Sequence, residues 1–210
     1  MPTRHLLAVW NPSYASDAMD ATLDLLRTAA AGYRDGAHDE EHVFVWWGKV
    51  RSSNRQQALP HLEAVLALDE QLHGDDGPSV EMHLYLTDYR SLYVAHVGEI
   101  TPDDPSVDGS RHVPAYYAAN NLVCDCWFQL WDIRRVVTDD MLGVIEELKK
   151  LRNTRYHDRP VSIYGGMVEL PLIVTRNDGA RYFDVDVRDQ LTDGKFWVEF
   201  DAERVGLGRM

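Results

Sequence analysis

HVFVWWGKVRSSNR, residues 42–55, sets the architecture. Val43, Phe44, Val45 and Trp46 are branched or aromatic and read as a strand. The strand runs into Trp47, after which the chain turns basic and polar through Lys49, Arg51, Ser52, Ser53, Asn54 and Arg55. A large aromatic at a strand end, beside cationic and hydrogen-bonding groups, can stack a flat ring and hold its phosphate. A core tryptophan followed by a solvated loop accounts for the same residues, because tryptophan is usually well buried.

Elements follow on both sides. Leu6 to Trp10 reads as a short strand broken by Asn11-Pro12. Ser16 and Asp17 open a helix through about Ala31, with Gly32 as its stop. Leu59, Leu62, Val65, Leu66 and Leu72 recur at helical spacing up to Gly74. EMHLYLTD and SLYVAHVGEI alternate around Asp88-Tyr89-Arg90 and predict a hairpin, with Met82, Leu84 and Leu86 on one side. Residues 101–121 are too polar for a regular element. CWFQLWDIRRV, residues 126–136, is a strand whose two apolar faces predict burial on both sides. Thr138 caps a helix through about Leu151, with a stripe of Met141, Ile145 and Leu148. VSIYGGMVELPLIV reads as strand, Gly165-Gly166 turn, strand, and RYFDVDV with KFWVEF as a terminal pair. Mixed strands with intervening helices predict an α+β fold around a curled or closed sheet.

At 210 residues with 45% apolar content the chain forms one domain with a core that needs no staple. No window holds the roughly 18 apolar residues of a membrane helix. The apolar run in MPTRHLLAVWNP is too short for a signal peptide, so the cytoplasm is expected. Cys124 and Cys126, two apart on a strand, share a face and read as structural thiols. Acids outnumber bases 34 to 21, which opposes broad coating of phosphates. The bases are concentrated, however. Lys149 to Arg159 holds five against one acid, and Lys49 to Arg55 three against none. A local basic rim on an acidic body suits a reader of one exposed nucleotide.

The order of these pieces resembles the PUA-like superfamily, in particular its EVE and YTH branches, which read modified or extruded bases. LLAVWNPS, the helix after Ser16, and VFVWWGKVRSSN are similar to the branch's opening strand, loop, helix and Trp-ended strand. HLYLTDYRSLYVAHVGEI looks like its hairpin, CWFQLWDIRRVVTDDMLGVIEEL its aromatic strand and helix, and DRPVSIYGGMVELP its closing segment. The resemblance spans roughly Arg4 to Val174 and implies a curled PUA-like β-barrel with helices packed around it. That domain would cover residues 1–175, with residues 176–210 as a β extension packed on it. It implies Trp47 (in preference to Trp46) as the stacking aromatic, and Trp10, Asn11 and Ser13 in the base-contacting loop. Asn suits an adenine edge. It also implies Arg155 and Arg159 as phosphate contacts, with Asp158 holding Arg159, alongside Lys49 and Arg51. Tyr116 and Tyr117 are candidates for a second cage wall.

No catalytic residue, metal or cofactor is expected. Tyr156-His157-Asp158 lacks a framed nucleophile, and His83, His96 and His112 lack metal-ligand spacing. The expected function is a module that recognises a modified or flipped base in DNA or RNA, serving a nuclease or motor in modification-dependent restriction or RNA modification. The alternatives are a small hydrolase or nuclease acting on RNA or nucleotides, and an acidic protein-interaction domain. No membrane partner is expected.

Overall fold

The computed structural model describes residues 3–37, 39, 42–51, 61–73, 81–107, 109, 111–162 and 171–176. Its strands are β1 (Arg4–Val9), β2 (Val45–Val50), β3 (His83–Thr87), β4 (Leu92–Thr101), β5 (Cys124–Val137), β6 (Leu151–Asn153), β7 (Arg159–Pro160) and β8 (Leu172–Arg176). They form one eight-stranded sheet in the order β2-β5-β4-β3-β1-β8-β6-β7. Only β1 and β3 pair in parallel; the other pairings are antiparallel. Among the described residues the sheet is open, with β2 and β7 as its edges, so the expected closed barrel is corrected to an α+β fold on an open sheet.

Helices cover both faces. On one side α1 (Ala18–Arg34), α2 (Leu62–Leu66) and α3 (Asp69–Leu72) bury Leu6, Trp47, Leu84, Phe128 and Leu130 with Met19, Leu23, Leu26, Val65 and Leu72. On the other, α5 (Met141–Lys149) closes over Leu7, Tyr85 and Val94 through Val144 and Leu148. The segment that carries the single turn α4 (Tyr116–Ala119) closes over Trp46 and Trp127. The hairpin forms as its alternation requires: Met82, Leu84 and Leu86 enter the first core, and Tyr85 the second.

Several boundaries moved for physical reasons. α1 runs past Gly32 because Tyr33 still packs on the core, which outweighs the roughly 1 kcal/mol a helical glycine costs. From Leu62 to Leu72 the helical periodicity resolves into α2 and α3, a break absent from its spacing, and Leu59 lies outside the described residues. α5 starts after Asp140, whose N–H is taken by the Arg90 carbonyl (2.8 Å), while Asp139 is left-handed at φ 48°. Its buried stripe is Val144 and Leu148; Met141 is half exposed. Trp131, expected inside, is 44% exposed.

The cysteines do not share a face. Lys49 pairs with Cys126 and Val50 with Cys124, so Asp125 is an extra residue that resets the alternation. Cys126 enters the first core, and Cys124 packs with Trp127 on the opposite face. The Gly165-Gly166 turn and the RYFDVDV–KFWVEF pair lie outside the described residues, as does the extension beyond Arg176.

Candidate functional site

The C-terminal end of β1 meets the C-terminal half of β2, although four strand spacings separate them in the sheet. Flat, that is about 19 Å at 4.8 Å per strand. A twist of about 20–25° per strand accumulates to roughly a right angle, which swings β2 across the end of β1. Lys49 Nζ thereby donates to the Val9 carbonyl at 3.1 Å, with Lys49 buried at 7% exposure. The expected place of Lys49 on an exposed basic rim is corrected here: its ammonium is buried against the Val9 carbonyl.

Trp10 follows directly. Its backbone N–H donates to the Thr87 carbonyl (3.0 Å), and its half-buried ring packs on the first core. Its indole Nε1 is buried, with no hydrogen-bond partner among the described residues. Asn11 shapes the next turn, its Oδ1 accepting the Ser13 N–H (2.9 Å) and its carbonyl the Tyr14 N–H (3.0 Å). Both Asn11 and Ser13 are exposed. The predicted base-contacting loop therefore begins one residue after the Val9 carbonyl that Lys49 reaches.

The predicted cage does not assemble as one wall. Trp47 lies in mid-strand and not at a strand end, is 3% exposed, and packs on Phe128 at 6.0 Å between ring centres. Strand alternation sends Trp46 and Gly48 to the opposite face. There Gly48 N–H donates to the Tyr117 hydroxyl (2.6 Å), which donates to the Gly48 carbonyl (3.0 Å). Tyr117 packs on Trp127 (4.7 Å) and on Tyr116 (4.3 Å). Burial raises both phenols, Tyr116 to about 12 and Tyr117 well above its usual value, so both stay protonated. Tyr117 stands across β2 from Trp47, so these two cannot line one pocket.

Of the remaining cations, Arg51 Nε pairs with the fully buried Asp125 carboxylate at 2.8 Å and keeps 40% of its side chain exposed. Arg155 is exposed on the turn between β6 and β7, and Arg159 is exposed at the start of β7. This turn lies at the end of the sheet where β1 finishes, since Leu7 pairs with Leu172 and Asn153 with Val174. Its shape is unusual: His157 and Asp158 are both left-handed at φ 55°, a conformation that costs non-glycine residues energy. Asn153 Oδ1 caps it by accepting the Arg155 N–H (3.0 Å). Arg155 lies over the Tyr156 ring (6.0 Å). Asp158 makes no ion pair with Arg159 among the described residues, which corrects that expected partnership.

His83 and His96 are cross-strand partners, with His5 stacked on His83 at 4.8 Å. His112 lies elsewhere, on Phe44. Among the described residues no three donor side chains converge as metal ligands do. Burial raises the Cys126 thiol to about 12 and pushes Cys124 up as well, so neither is a thiolate nucleophile at neutral pH. Asp125 was missed from sequence; an acid between two strand cysteines was its signal, since a buried carboxylate needs a cation. No family model matches the chain, and no curated protein or solved structure matches it either.

Proposed function

We propose that this chain is a PUA-like nucleic-acid-binding module that takes one modified or flipped base at the mouth formed by Trp10, Asn11, Ser13 and Lys49. The observation that carries this reading is the Trp10 indole, whose buried Nε1–H has no acceptor among the described residues. An unsatisfied buried donor costs about 1–3 kcal/mol. A base that turns this partly buried ring, or inserts beside it, supplies both a stacking face and an acceptor. Stacking of roughly 1–3 kcal/mol offsets part of the cost of flipping. The Lys49 ammonium at the Val9 carbonyl adds positive charge at the same point, and Arg51, Arg155 and Arg159 supply exposed cations for the flanking phosphates.

The order of elements supports the PUA-like relation: strand, loop, helix, Trp-bearing strand, hairpin, long aromatic strand, helix and basic turn. Trp47 has a different part in this reading from the one expected of it, as the packed floor beneath the first core's strands. In such a module the chemistry belongs to a nuclease or motor that the reader directs.

The test is binding of short single- and double-stranded oligonucleotides, with and without methylated or hydroxymethylated bases, followed by fluorescence anisotropy. The reading predicts preference for one modified base over its parent and little gain from added length. Affinity that climbs steadily with length, or equal affinity for modified and parent bases, contradicts it.

A further inference from the structure

On the sheet face opposite the first core, the chain carries a second aromatic surface that the proposed mouth does not use. Two opposed irregularities build it. His96 pairs with Asp132 and Val97 with Leu130, leaving Trp131 as an extra residue on β5. Val97 pairs with Leu130 and Glu99 with Gln129, leaving Gly98 as an extra residue on β4. Bulges of this kind re-aim side chains and concentrate beside functional sites.

Here they lay the Trp131 indole flat on Gly98. A methyl carbon at Gly98 would fall 2.4 Å from Trp131 Cε2 and 2.5 Å from Nε1, so only glycine admits the ring. Trp131 Nε1–H is tied to Gln129 Oε1 at 2.8 Å, and the His96 ring meets the indole edge-on at 5.5 Å. The indole is thus fixed on one side and open on the other, at 44% exposure.

Its surroundings are polar. Val97 N–H donates to the Met82 carbonyl (2.9 Å), which brings the preceding residue, Glu81, alongside Gly98. Glu81 Oε1 meets His83 Nε2 at 2.7 Å while 57% of its side chain is exposed. The hydrogen bond from His83 lowers the pKa of Glu81 and keeps it ionised. His83 is in turn backed by the stacked His5, whose Nδ1 accepts the His83 backbone N–H (3.1 Å). Gln129, with Oε1 engaged by the indole, presents N–H donors beside the ring.

We propose that Trp131, Glu81, Gln129 and His96 form a second site, separate from the mouth, that binds a nucleobase and prefers guanine. The exposed indole face stacks the ring, as aromatic side chains do for any base. A carboxylate accepts only, so it selects the edge with adjacent N–H groups, N1–H and the N2 amino group of guanine. The Gln129 amide donates to an acceptor on the same base. A phosphate has no place there: Glu81 repels it, and Arg134 on this face is held by Asp132 through Nε and Nη2 (2.9 and 2.8 Å). The ligand class is therefore the base or nucleoside, whether free or as an unpaired residue of a strand.

Equilibrium dialysis of the full chain against guanosine, adenosine, cytidine and uridine tests this. Guanosine should be retained in preference to uridine. Trp131→Leu should raise its dissociation constant about tenfold or more, the range for a lost stacking face. Glu81→Gln should erase most of the preference for guanosine over uridine. Trp131→Phe, which keeps a ring, should fall between wild type and Trp131→Leu, and serves as the readout if the leucine variant loses cooperative unfolding. No retention at millimolar guanosine, wild-type affinity in both Trp131 variants, or equal affinity for all four nucleosides would overturn the proposal. So would guanosine binding lost in Trp10→Ala but kept in Trp131→Leu, which would move the site to the mouth and leave the reading of that mouth standing.

Discussion

Trp10 and Trp47 show how differently two tryptophans serve one chain. Trp47 is 3% exposed and packed on Phe128. Trp47→Ala should therefore cost about 3–5 kcal/mol of stability, measured by urea unfolding. A loss below 1 kcal/mol would remove it from the core. Trp10 is half-buried, and its ring nitrogen lacks an acceptor. Trp10→Phe keeps the stacking face and removes the donor. It should weaken the preferred oligonucleotide by about 1–3 kcal/mol, the cost of a buried hydrogen bond left unmade, while the free protein, relieved of an unsatisfied donor, should be no less stable. Lys49 illustrates a limit of sequence reading: its neighbours suggest an exposed basic loop, yet strand alternation turns it inward to Val9.

Among elements, the contact between β2 and β5 lends itself to a direct test. A methyl at Gly48 would stand 2.5 Å from Cys124 Sγ and 2.8 Å from the Trp127 ring. Gly48→Ala should destabilise the fold by about 1–3 kcal/mol, as overpacking does. Adding Cys124→Ala should recover part of that loss, so the two changes should be less than additive in denaturant unfolding. Strict additivity would show that the contact is absent. This junction also marks where sequence reading stopped. Strands β1 to β5, with the β3–β4 hairpin, and α1 were legible from alternation and helical spacing, because each is fixed by its own residues; the short β6 and β7 were not. The bulges at Asp125, Trp131 and Gly98 were not, since each depends on the partner strand's register. Those bulges decide which face Cys124 takes and why Trp131 is exposed. The end of β1 before Asn11-Pro12 was legible as well, but the approach of Lys49 to Val9 depends on twist summed over four strand pairs.

At the scale of the molecule, net charge and buried histidine set the response to solution conditions. Burial lowers the pKa of His5 from 6.5 to about 3, helped by the neighbouring His83. The unfolded chain therefore binds a proton at His5 that the folded chain refuses between those values. This share of stability is complete above pH 6.5 and falls by up to about 1.4 kcal/mol per pH unit toward pH 3. His5→Phe should flatten that slope in unfolding followed across the window; an unchanged slope would assign the acid sensitivity to other groups. Because Lys49 faces inward, two or three exposed cations remain for phosphates, drawn from Arg51, Arg155 and Arg159. Binding to a single strand should then show a log–log salt slope of roughly −1.4 to −2.1, and one steeper than about −5 would indicate an extended interface. The most direct test of base capture at the mouth is the indole N–H resonance of Trp10, followed by nuclear magnetic resonance as the preferred modified oligonucleotide is added. The account predicts a downfield shift of that proton, saturating with binding, as its nitrogen gains an acceptor. Binding that saturates while the Trp10 indole resonance stays unmoved would contradict it.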